Sequence, residues 1–232
     1  MLKYTTKFET GRLAGLSDGV FSICVTLLVL DLKLPESPDV SLAAAIGTNI
    51  HKVESWVLSF VIIGALWVMQ HNIIAHLRAT DAVLLWLNLL FLMPISLMPW
   101  TTDLTGDYLH EPLAIVIFSG TLGLAGLVLM YMWVYACRGE RLISPEIDER
   151  TEKVITILAA RVPVVSLISI ALAFVHRSLA LWSWLLVLAS GAVVRYRHRS
   201  TVRGASQGPR PPDLEHRTDQ PGLDPERGPV SQ

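Results

Sequence analysis

Apolar residues along this 232-residue chain gather into six blocks separated by short polar stretches. They run from about Leu13 to Leu34, Val53 to Ala75, Ala82 to Trp100, Leu113 to Ala136, Val154 to Val175, and Leu179 to Val194. A hydrocarbon core about 30 Å thick takes about 20 mostly apolar residues in a helix. The pattern therefore predicts an all-α membrane protein with six transmembrane helices. The last block is short, and to span it needs Trp182, Trp184 and Tyr196 as interfacial anchors or a thin local bilayer. The first block exceeds the core of a secretory signal, carries Asp18 and Asp31, and has no convincing small-residue cleavage site behind it. It reads as the first membrane helix. The stretch from Thr101 to Pro112, with Asp103, Asp107 and Glu111 but no Lys or Arg, reads as a connecting loop.

After about Arg199 the pattern stops, and Gly, Pro, Ser and Gln take over, as in Gly208-Pro209-Arg210-Pro211-Pro212. Such a segment cannot bury enough apolar surface to offset its ordering entropy. The expected organisation is thus a six-helix transmembrane domain over 1–200 and a disordered cytoplasmic tail over 201–232.

Composition supports the membrane reading, with 52% hydrophobic and 17% charged residues. The net charge of −1 leaves no broadly basic surface for nucleic acid. Two cysteines, Cys24 and Cys137, are too few and too separated for a disulfide framework or metal cluster, and read as packing residues. Basic residues near the block ends give the orientation, because cytoplasmic loops are enriched in them. Lys3, Lys7, Arg12, Arg78, Arg138, Arg141, Arg150, Lys153, Arg195, Arg197, Arg199 and Arg203 fall on one side, and Lys33, Lys52 and Arg177 on the other. A multi-pass protein of the cell membrane is expected, with both termini in the cytoplasm.

The first block carries the most specific pattern. Residues three or four apart share a helix face, which puts Gly19, Ile23, Leu27, Leu30 and Leu34 in one apolar arc. Gly15, Asp18, Ser22 and Thr26 form a polar stripe beside it. Two readings fit that stripe, close packing through small and hydroxyl residues or a polar path. Ionisable groups within a span cost on the order of 2.5–3.5 kcal/mol each at the helix centre, so they need partners. One cytoplasmic-side layer collects Arg12, Ser17, Asp18, Trp67, His71, Asn88 and Arg161, near Gln70. Either a structural network or an ion or proton pathway fits this layer. His71 and His76 stand five apart and diverge on a helix, which argues against a metal site. No nucleophile with a base partner, paired carboxylates or phosphate loop points to an enzyme.

Arg12-Leu13-Ala14-Gly15-Leu16-Ser17-Asp18, continuing through Gly19-Val20-Phe21-Ser22-Ile23 and Thr26-Leu27-Leu28-Val29-Leu30, resembles the transmembrane protein 175 family of potassium channels. The family signature, R-x-x-x-F-S-D, is kept except that Leu16 stands in the aromatic position. Trp67, His71 and Leu84-Leu85-Trp86-Leu87-Asn88-Leu89-Leu90 are similar to the second and third helices of bacterial members. The resemblance implies a homotetramer of six-helix subunits in membrane lipid, its first helices lining a central pore for monovalent cations. Ile23, Leu27 and Leu30 would form an apolar constriction, with Thr26 and Ser22 as its polar lining. Asp31 would attract cations at the outer end. Arg12, Ser17, Asp18, Trp67, His71, Asn88 and Arg161 would be the supporting network. No cofactor is implied; potassium is the permeant ion. No T-V-G-Y-G segment is present, so a ring of filter carbonyls is not the expected source of selectivity. The competing reading is a proton-coupled secondary transporter using Asp18, His71 and Arg161.

Overall fold

A computed structural model describes residues 10–33, 41–108, 111–138 and 142–191. The expected tail over 201–232, the anchor Tyr196 and the seam residue Leu34 lie outside the described residues. The helices are α1 (Thr10–Leu27), α2 (Leu42–Thr48), α3 (Ile50–Ala75), α4 (Ala82–Ser96), α5 (Met98–Asp107), α6 (Pro112–Cys137), α7 (Glu149–Ala173) and α8 (Arg177–Trp182). A turn of 3₁₀ helix, Leu28–Asp31, extends α1.

Local chemistry sets several helix starts. The Asp81 carboxylate accepts from the Leu84 backbone N–H at 2.9 Å and caps α4, and Asp148 does the same for α7 through Thr151 at 3.1 Å. Glu149 and Glu152 in the first turn of α7 favour the positive end of its dipole. Pro112 opens α6, where a missing backbone N–H removes no intrahelical bond.

Five helical runs are long and apolar enough to cross a membrane: Thr10–Leu30, Ile50–Ala75, Ala82–Asp107, Pro112–Cys137 and Glu149–Ala173. The third runs further than its apolar block. Thr101, Thr102 and Thr105 continue it as α5 and are buried, so the expected loop begins only after Asp107. The hydroxyls make this possible by donating back along the chain, Thr101 to the Met98 carbonyl at 3.1 Å and Thr105 to those of Thr101 and Thr102 at 2.9 Å. Thr102 donates sideways to Ser59 of α3 at 2.8 Å. Pro94 inside α4 and Pro99 at the start of α5 mark the junction between them at Leu97, since neither ring nitrogen can donate.

The sixth block departs from a single helix. It forms α8, a turn at 183–184 and a further helical stretch at 185–191, the last described residues. Ser183 donates to the Ala180 carbonyl at 2.6 Å, and that carbonyl also accepts from Ser169 of α7 at 2.7 Å. These hydroxyls hold α8 against α7 where the helix is interrupted.

α6 occupies the middle, with 61% of its apolar stretch buried against 28% for α1. Its packing on α7 depends on small residues. A Cβ at Gly126 would lie 2.5 Å from Val162 Cγ1 and 3.0 Å from Pro163 Cδ, whereas one at Gly120 would meet nothing within 4 Å. On the side expected to be cytoplasmic, the α3–α4 turn pairs with the α6–α7 loop. Arg78 N–H donates to the Leu142 carbonyl at 2.9 Å, and Ser144 N–H to that of His76 at 3.0 Å. Gly126→Leu should destabilise the protein by about 1–3 kcal/mol through overpacking. Thermal unfolding in detergent should show a lowered midpoint for it and a near-native one for Gly120→Leu.

Candidate functional site

α1 presents one buried face and one bare face. Leu13, Ser17, Phe21 and Cys24 point inward, and Leu28 continues the row into the 3₁₀ turn. Phe21 meets Phe91 of α4 at a ring separation of 6.0 Å, and Cys24 donates to the Ile95 carbonyl at 3.1 Å. On the bare side Ile23, Leu27 and Leu30 are 61%, 41% and 60% exposed, with Leu16 in the same row. Gly15 and Gly19 also look into open space. Leu30 belongs to the 3₁₀ turn and is exposed like Leu27, three residues before it.

The polar stripe is exposed beside this row. Thr26 donates its hydroxyl to the Ser22 carbonyl at 3.0 Å and to that of Ile23 at 2.9 Å. Its oxygen lone pairs remain available outward. Asp31 closes the 3₁₀ turn, and its side chain lies outside the described residues.

Behind α1 sits a buried cluster from three helices. The Gln70 amide of α3 donates to Ser17 Oγ at 2.7 Å and to the Asn88 carbonyl oxygen at 2.8 Å. Asn88 of α4 donates to Ser17 Oγ at 3.1 Å, and Ser17 donates to the Leu13 carbonyl at 2.9 Å. All three side chains are essentially inaccessible. Next to it, Trp67 Nε1 donates to Asp18 at 2.8 Å, and the Trp67 and His71 rings stand 5.6 Å apart. Asp18, Trp67 and His71 remain open on their outer side, and Arg12 is exposed at the start of α1.

The structure thus joins Ser17 with Asn88, and Asp18 with Trp67 and His71. It places Arg161 instead with the sixth block, where a Cβ at Gly191 would collide with the guanidinium. Gln70, absent from the expected network, is its central donor. The signal was an amide within an apolar run beside His71, but only packing decides which of the two turns inward. Among the described residues, no three His, Cys, Asp or Glu side chains gather as a metal site.

Five helices long and apolar enough to cross a membrane, with small hydrogen-bonded polar groups buried between them, define a multi-pass helical membrane protein. Residues 12–99 match the family model described as the endosomal/lysosomal potassium channel TMEM175. A potassium channel of Streptomyces collinus is 32% identical over 178 residues, covering 75% of this chain and 86% of that one. One from Chamaesiphon minutus is 30% identical over 181 residues, covering 75% and 89%. The crystal structure of a lysosomal potassium-selective channel TMEM175 homolog from Chamaesiphon minutus superposes with a TM-score of 0.68 at 26% identity, covering 79% of this chain and 96% of that one. The chain belongs to the TMEM175 family of potassium channels.

Removing one member of the buried cluster leaves its partners unsatisfied, at about 1–3 kcal/mol. Asn88→Leu should lower the thermal midpoint in detergent. The triple replacement Ser17→Ala, Gln70→Leu, Asn88→Leu should recover part of that loss, because it leaves no stranded donor.

Proposed function

We propose that this chain is the subunit of a potassium-permeable channel in the cell membrane, six spans per subunit, assembled as a homotetramer around its α1 helices. The observation that carries this is the bare row of Ile23, Leu27 and Leu30 opposite a fully packed face. α1 is the least buried of the long helices, so a pore lined by it must be built from several copies. In that assembly the row would converge on the axis as stacked apolar rings.

Such rings close a narrow pore by excluding water, since a partly dehydrated cation gains nothing from hydrocarbon to replace its hydration. Opening has to widen or rotate the helices. Thr26 and Ser22 would border the neck with hydroxyl oxygens, and Asp31 would raise the cation concentration at its outer end through its field. The cluster behind α1 holds the helix without touching the ion. The asymmetry of basic residues supports cytoplasmic termini, with a membrane domain over 1–200 and a cytoplasmic tail over 201–232.

The test is potassium flux through the purified protein in liposomes, with unitary currents in a planar bilayer separating a channel from a coupled carrier. Leu27→Ala should raise resting conductance several-fold by thinning the apolar neck. Ile23→Ala and Leu30→Ala should act in the same direction. Unchanged flux across all three variants would remove these residues from the conduction path.

A further inference from the structure

The outer end of α1 rests on a second small assembly that the pore reading does not use. Leu28 is buried, and the 3₁₀ turn it begins lies against α3 and α5. Leu28, Leu32, Lys52, Trp56, Thr102 and Gly106 are among the residues lining a partly open cleft of about 10 Å³, about the space of one water. The turn bearing Leu30 is therefore seated in the angle between α3 and α5, and what fixes that angle fixes the turn.

Two polar links fix it. On one, Lys52 in the first turn of α3 reaches Asp107, the last residue of α5, at 2.5 Å, with side chains 22% and 43% exposed. The Lys52 stem crosses Gly106, where a Cβ would lie 3.3 Å from its Cγ, so the glycine leaves room for the lysine to lie flat. On the other, deeper link, Thr102 donates to Ser59 between the same two helices. At its near end α5 is separated from α4 by the Pro94 and Pro99 discontinuity at Leu97. α5 is thus a ten-residue helix set off from α4 by two prolines at one end and tied to α3 at the other, with the 3₁₀ turn lying against it.

We propose that α5 is a latch for the outer constriction, that Lys52 and Asp107 are its catch, and that releasing them lets the 3₁₀ turn move and Leu30 withdraw from the pore axis. The latch rests on the reading of α1 as the pore helix. Lys52 and Asp107 are positioning residues, acting on the ion path only through the turn. Their partly exposed location lets the pair break and reform with both charges still reaching water, whereas the Thr102–Ser59 hydroxyls are buried and would lose a partner.

The experiment is single-channel recording from the full chain, purified and reconstituted, comparing Lys52→Met, Asp107→Asn, Lys52→Arg and the charge-reversed pair Lys52→Asp with Asp107→Lys. The two neutralising variants should each raise open probability several-fold, with unitary conductance and bi-ionic reversal potential unchanged. Lys52→Arg and the charge-reversed pair should return it to near the wild-type value. Open probability that is unchanged in both neutralising variants, or raised by every variant including the reversed pair, overturns the latch. Should a neutralising variant elute as aggregate on size exclusion, the reversed pair and Lys52→Arg decide: wild-type gating in both upholds the catch, and altered gating in either overturns it. Wild-type protein that passes no potassium, or Leu27→Ala that leaves conductance unchanged, overturns the pore reading instead.

Discussion

An amide in hydrocarbon has no water to fall back on, and the placement of α1 follows from how Gln70 and Asn88 solve that problem. They bond to one another and converge on a single hydroxyl, that of Ser17. Ser17 is the polar residue of the R-x-x-x-F-S-D stretch that is buried with them, one turn from the buried Leu13. Because a helix is rigid about its axis, satisfying these groups sets which way every other α1 side chain faces. Turning α1 to bury Ile23 or Leu27 would pull Ser17 out of the cluster and leave both amides short of a partner. The bare apolar row is thus a consequence of a polar constraint on the opposite side.

That arrangement separates holding from conducting. The inward face of α1 is committed to Phe91, Ile95 and the amide cluster, while the outward face carries small, hydroxyl and aliphatic groups, with Thr26 bonded back to carbonyls of α1 itself. Asp18 stands at the boundary, bonded to Trp67 but open outward, next to His71. Arg161 lies against Gly191 of the sixth block.

What sequence makes legible here is what depends on composition over a whole turn or more. The five long spans follow from hydropathy, and the exposed row on α1 from simple helical spacing. Features decided by one hydrogen bond were not legible. Thr101, Thr102 and Thr105 read as a polar loop because nothing in their order says that their hydroxyls will return to backbone carbonyls and carry the helix on to Asp107. The turn at 183–184 was hidden within an apolar run. Gln70 and His71 are adjacent, and which of them becomes the buried donor depends on where α4 brings Asn88. Arg161 has the depth expected of a network member, yet depth does not give the direction in which a side chain points.

The central claim is that the bare face of α1, and not its packed face, meets the permeating ion. It is tested most directly by placing single cysteines along α1 in the reconstituted protein and measuring current while a water-soluble thiol reagent is applied. Block at positions 23, 27 and 30 with none at 21 and 28 is the result this account predicts. Block at the packed positions, or insensitivity at all of the exposed ones, would contradict it.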